Sequence, residues 1–119
     1  MGAKTFEELR AWRLTAELSD RIVEVCAMSA LQGDLTFRNQ LRDAAEAAPR
    51  LIAEGFGRWS RREFSRYLVM ARSELMEVRS DLLALQRRRT VPGELAAELL
   101  ELTDHALRTT NRLRSSLPP

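Results

Sequence analysis

The stretch Ser60-Arg-Arg-Glu-Phe-Ser-Arg-Tyr-Leu-Val-Met-Ala-Arg-Ser-Glu-Leu-Met-Glu-Val-Arg-Ser-Asp-Leu-Leu-Ala-Leu85 decides the fold. Within it Phe64, Leu68, Ala71, Leu75, Val78, Leu82 and Leu85 recur with spacings of 4, 3, 4, 3, 4 and 3. An α-helix turns once in about 3.6 residues, so this spacing lines the side chains along one seam. An unbroken heptad seam is the pattern of helices packed side by side in a bundle. Ser60 and Glu63 read as a capping box, in which the two residues satisfy orphan N–H groups at a helix start. Arg87-Arg88-Arg89 closes the segment, where cations favour the macrodipole. A helix is therefore expected over about residues 60–89.

Outward from this seam, three more helices read out. Thr5 and Glu8 form a first capping box, which predicts a helix from about Thr5 to Ala30. Leu9, Trp12, Ala16, Val23, Ala27 and Ala30 mark one apolar stripe on it, and Leu14, Leu18, Ile22 and Val25 a second. Gln32-Gly-Asp34 ends it. The next helix is expected over about residues 35–54, with Leu41, Ala44, Ala45, Ala48, Leu51 and Ile52 as its apolar face. Pro49 lies inside it and predicts a kink, because proline removes one backbone hydrogen bond. Gly55 suits the left-handed position that terminates a helix. Thr90-Val-Pro-Gly93 is a turn, and a fourth helix follows over about residues 92–115, with Leu95, Leu99, Leu102, Ala106 and Leu113 on its seam. No strand-like alternation is present. The expected fold is all-α, an up-down-up-down four-helix bundle in a single domain over residues 1–119.

Charge is spread unevenly along the chain. Its net value is +2, yet residues 38–89 carry twelve basic against seven acidic side chains, a net +5. Eighteen of the nineteen basic residues are arginine, whose planar fork suits phosphate and carboxylate. The same bias also follows from a GC-rich coding sequence. One cysteine, Cys26, excludes an intramolecular disulfide and points to a reducing compartment. The polar N-terminus lacks a signal-peptide core, and no apolar run approaches the roughly 20 residues that span a bilayer. A cytoplasmic protein without a membrane partner is expected.

The sharpest functional candidates cluster between the second and third helices. Arg58, Arg61, Arg62 and Arg66 follow Arg50, and each is able to neutralise a phosphate. The competing reading is solvated helix surface, paired with Glu54 or Glu63. Cations at a helix N-terminus oppose its dipole, which an anion there would relieve. Trp59 suits base stacking, an interface anchor, or folding back over the bundle end, with packing within or between chains preferred. Gly55 and Gly57 are wrongly spaced for a phosphate-cradling loop. Leu14, Leu100 and Leu107 sit beside their helices' main seams and are the candidate oligomer contacts. Trp12 reads as core. Glu46, Glu54, Glu74 and Glu77 lack the Glu-x-x-His pairs of di-metal bundles, His105 being the single histidine. Cys26 has no histidine beside it in sequence and reads as a small buried residue. No metal, no cofactor and no catalytic constellation is expected.

At Ile52-Ala-Glu-Gly-Phe-Gly-Arg58, followed by Ser60-Arg-Arg-Glu-Phe64, the chain resembles the 23S rRNA intervening sequence proteins. Many of these are encoded within insertions in 23S ribosomal RNA genes. Phe6-Glu-Glu-Leu-Arg-Ala-Trp12 resembles the family's opening, Leu35 to Ala45 its second-helix start, and Ala71-Arg-Ser-Glu-Leu-Met-Glu77 its third-helix core. Pro49 falls at the family's mid-helix proline. Two departures stand out: Arg50-Leu51 replaces a small polar residue and asparagine, and Trp59 replaces a commonly basic residue. The resemblance implies a four-helix bundle that assembles as a ring-like homopentamer. It extends distantly to the accessory protein of diversity-generating retroelements, a basic pentamer that partners a reverse transcriptase and nucleic acid. No catalytic residue carries over. The expectation is a non-enzymatic scaffold or adaptor contacting RNA or DNA through the arginine corner. The alternative is a protein–protein module that partners a reverse transcriptase or another neighbouring gene product.

Overall fold

Four α-helices make up the computed structural model, which describes residues 2–118: α1 (Arg10–Cys26), α2 (Leu35–Phe56), α3 (Arg61–Arg87) and α4 (Gly93–Ser116). Single 3-10 turns at Phe6–Glu8 and Ser29–Leu31 flank α1. Among the described residues there is no strand, so the chain is all-α. The body measures 45 × 22 × 20 Å, and its long axis matches the roughly 40 Å expected of a helix of 27 residues such as α3. α2 packs on α1 and α3, and α4 packs on α3 and α1, so α1 and α3 lie diagonally opposite. The short α2–α3 and α3–α4 links fit an up-and-down arrangement. Among the described residues no helix is long and apolar enough to cross a membrane.

The α3 seam is buried as its spacing predicts: Leu68, Ala71, Leu75, Val78 and Leu82 are fully enclosed, Leu85 nearly so, and Phe64 at the edge of burial. The other helices present seams of the same spacing that include residues an apolar search passes over. On α1 it is Ala11, Thr15, Leu18, Ile22 and Val25. On α2 it is Leu41, Ala45, Ala48, Ile52 and Gly55. On α4 it is Ala96, Leu99, Thr103, Ala106 and Thr110. Buried hydroxyls need partners. Thr15 donates to the Ala11 carbonyl at 2.9 Å and Thr103 to the Leu99 carbonyl at 2.7 Å, which lets threonine serve as core. Thr110 Oγ1 has no partner among the described residues.

Several expectations are corrected here. The first helix is shorter than residues 5–30. Glu8 does reach back to the Thr5 N–H, at 3.2 Å, but the pair closes only a single 3-10 turn. Leu9 is then extended, and α1 starts at Arg10. Its end comes at Cys26 because Met28 is extended and the Gln32 amide donates to the Cys26 and Met28 carbonyls, at 2.8 and 3.1 Å. Ala27 and Ala30, assigned to an apolar stripe, are exposed. Ser60 accepts from the Glu63 N–H at 3.2 Å, but the Glu63 carboxylate turns to Arg66, which leaves half a capping box. Pro49 lies inside α2 as expected, and α2 ends at Phe56, two residues beyond the expected end.

Gly55 does not terminate a helix. It lies inside α2, buried, and among the described residues no glycine has a positive φ. Its role is close approach: a Cβ added there would lie 2.5 Å from Tyr67 Cβ. The proposed oligomer contacts also move. Leu107 is buried in the main core, and Leu14 and Leu100 are half-buried against it, so none of the three offers an open face.

Candidate nucleic-acid interface

The α2–α3 corner is built on Tyr67. Because Gly55 lets the two helices meet, Tyr67 is buried to 6 % exposure while its hydroxyl reaches the surface. That hydroxyl accepts from Arg58 Nη2 at 2.6 Å and donates to Glu54 Oε2 at 3.2 Å. Arg58 Nη2 also lies 3.4 Å from Glu54 Oε2. The Arg58 and Arg66 guanidiniums each lie 5.1 Å from the Tyr67 ring centroid, within cation–π range. Arg66 pairs with Glu63 through bonds of 3.0 and 3.3 Å. That hydrogen bond holds the Glu63 carboxyl below the ordinary glutamate range, with the nearby arginine charges adding to it. Two of the predicted phosphate contacts are thus engaged by carboxylates of the same chain.

Arg61 and Arg62 differ. Both are exposed and, among the described residues, form no ion pair. They begin α3, whose first-turn N–H groups are orphan donors; Ser60 takes that of Glu63, and those of Arg61 and Arg62 have no acceptor among the described residues. Arg50 is not brought to this corner. It is exposed two turns back along α2, and its charge acts on Glu74, whose carboxyl is pushed up by burial and by Glu77.

Trp59 is 99 % exposed, so folding back over the bundle end is excluded. Its backbone is left-handed, with φ 61°. For a bulky side chain this costs on the order of 1–2 kcal/mol. Arg89 shares the conformation, at φ 54°, but there it closes α3: the Thr90 N–H bonds the Leu85 carbonyl at 3.0 Å and the Arg89 N–H the Gln86 carbonyl at 3.1 Å. Those two bonds make a Schellman motif. Trp59 makes no such backbone bond among the described residues. Beside it a groove of about 590 Å³ runs across the bundle end, walled by Leu9, Phe56, Arg61, Phe64 and Leu113. Phe56 and Phe64 meet edge to face there, their centroids 5.9 Å apart.

Elsewhere the chemistry is sparse. Among the described residues no three potential metal ligands converge. His105 lies 3.4 Å from Arg10 Nη2. The Cys26 thiol is buried, and burial pushes its pKa up, which favours the unreactive thiol. Trp12 is half-buried and edge-on to Phe6 at 5.2 Å.

A second surface is absent from the sequence reading. Val69, Met76 and Leu83 are 43 %, 43 % and 36 % exposed and stand seven residues apart on the outer side of α3. Ser73 and Ser80 lie between them on the same face. The spacing is as regular as that of the buried seam and was open to inspection one residue out of phase with it.

Compared with known families, residues 7–112 match the one described as 23S rRNA-intervening sequence protein. No curated protein shows significant similarity to the chain.

Proposed function

The chain belongs to the 23S rRNA-intervening sequence protein family, and from that premise we propose a non-enzymatic, cytoplasmic scaffold that contacts RNA or DNA at the α2–α3 corner. The observation that carries this reading is the division among the corner arginines. Arg58 and Arg66 are neutralised by Glu54 and Glu63, whereas Arg61 and Arg62 are exposed and unpaired, among the described residues, at a helix N-terminus. Two free guanidiniums beside orphan N–H groups favour an anion, and phosphate is the anion arginine suits best. Such contacts position a backbone without reading sequence.

Filter binding at several salt concentrations tests it. Arg61→Glu/Arg62→Glu is expected to weaken binding and to lower the salt slope by about 1 per lost phosphate contact. Binding that is absent, salt-insensitive, or equal in the wild type and the variant overturns the reading.

The Val69–Met76–Leu83 stripe favours a second reading, in which the bundle is a protein-interaction module. We propose that this stripe, in place of Leu14, Leu100 and Leu107, is the surface through which copies assemble, into the ring of five that the family resemblance implies. A protein partner such as a neighbouring gene product is the competing occupant; its recovery with the nuclease-treated protein in place of self-assembly favours the module.

A further inference from the structure

We infer that the α2–α3 corner takes single-stranded nucleic acid, with one unstacked base held between Trp59 and the aromatic floor of the end groove. This deepens the proposed nucleic-acid role and rests on it. Trp59 combines nearly full exposure with a left-handed backbone that closes no helix. Among the described residues neither feature is offset by burial or by a backbone hydrogen bond from the Trp59 N–H. A bulky residue retained in such a conformation points to function at that position.

The surroundings narrow the ligand. Phe56 and Phe64 line the groove below Trp59, and Arg61 stands on its wall. Arg62 is adjacent and unpaired among the described residues, while the nearby carboxylates of Glu54 and Glu63 are taken by Arg58 and Arg66. The site therefore offers an aromatic face, an apolar slot and free positive charge. Purely apolar partners leave the arginines unused. A duplex keeps its bases stacked and presents only phosphates, which leaves Trp59 unused. A single strand uses all three, because any base has a π-face and its flanking phosphates reach Arg61, Arg62 and the first N–H groups of α3.

Titration with an oligothymidylate and an oligouridylate of roughly 20 nucleotides, against a duplex of equal length, tests this through tryptophan fluorescence and affinity. The single strands are expected to bind more tightly than the duplex and to quench Trp59, while Trp12, packed on Phe6, reports little. Loss of one stacked base corresponds to roughly five- to 150-fold in affinity, so Trp59→Gly should weaken single-strand binding by that factor. The same change relieves the left-handed strain, so its thermal midpoint should equal or exceed that of the wild type. Trp59→Phe should restore part of the binding. Duplex binding as tight as single-strand binding, or wild-type affinity in Trp59→Gly, overturns the inference but leaves the arginine contact standing. Binding to neither overturns both.

Discussion

A methyl group on Gly55 would meet Tyr67 Cβ at 2.5 Å, Tyr67 Cγ at 3.1 Å and Phe64 Cδ1 at 3.2 Å. Two effects then oppose each other in Gly55→Ala. Alanine is the better helix former by about 1 kcal/mol. Overpacking a closed contact costs about 1–3 kcal/mol, because backbone or side chains must shift. The shift also drags the Tyr67 hydroxyl from Arg58 and Glu54, whose bonds are 2.6 and 3.2 Å. The overlap with Tyr67 involves Cβ, the atom fixed most rigidly to its backbone, so it is not relieved by a rotamer change. Net destabilisation of about 1–2 kcal/mol is expected in urea unfolding. A variant more stable than the wild type would show that the helices have room to separate. Sequence reading assigned Gly55 to a helix end, since a glycine near a boundary usually supplies φ freedom. Here the left-handed backbone falls on Trp59, and the glycine supplies space.

At the scale of elements, α3 was fully legible because every member of its seam is apolar. The other seams have the same 3–4 spacing but include Thr15 and Thr103, whose hydroxyls bond back to their own helix, Gly55, which has no side chain, and Thr110, whose hydroxyl has no partner among the described residues. A pattern built on hydrophobicity alone therefore finds Leu18, Ile22 and Val25 on α1 and Leu99 and Ala106 on α4, but it passes over Thr15, Thr103 and Thr110 and takes neighbours such as Ala16 and Leu102 in their place. The α1 boundaries were missed for a related reason: a side chain, Gln32, ends the helix through bonds that no local rule encodes. The α2–α3 contact includes a polar bridge as well, from Gln40 Nε2 to both Asp81 oxygens at 3.1 and 3.2 Å. Burial, with Glu77 adding to it, raises the Asp81 pKa against the lowering effects of Gln40 and Arg88. A raised pKa in the folded state means that folding favours the protonated carboxyl. The contribution of Asp81 is thus most favourable below the unfolded aspartate value of about 3.9 and is lost as pH rises through the folded value. Asp81→Asn removes this titration. The stability of the variant relative to wild type should therefore increase from acid toward neutral pH, read as the difference between their urea midpoints. A difference that stays flat across that range would show that Asp81 titrates normally in the fold.

At the scale of the whole molecule, the bundle satisfies one seam per helix and leaves a second stripe on α3 without a partner. Val69, Met76 and Leu83 span about 21 Å at 1.5 Å per residue, the length of a substantial helix contact. Small Ser73 and Ser80 between them permit close approach of another helix. α1, diagonal to α3, does not reach this face, which under the proposed self-assembly is covered by a second molecule. The earlier candidates behave differently: Leu107 belongs to the core, and charging it should unfold the chain. Met76 lies mid-stripe and 43 % exposed, so Met76→Glu should still fold, with a thermal midpoint lowered only by the loss of assembly and no longer dependent on protein concentration. Light scattering is expected to give the wild type a multiple of the 13.6 kDa chain mass and Met76→Glu a single chain. Such a split, with unchanged helical content by circular dichroism, separates an interface residue from a core one. A wild type at one chain's mass, or a variant assembling as the wild type does, would remove the outer face of α3 from any role in self-association.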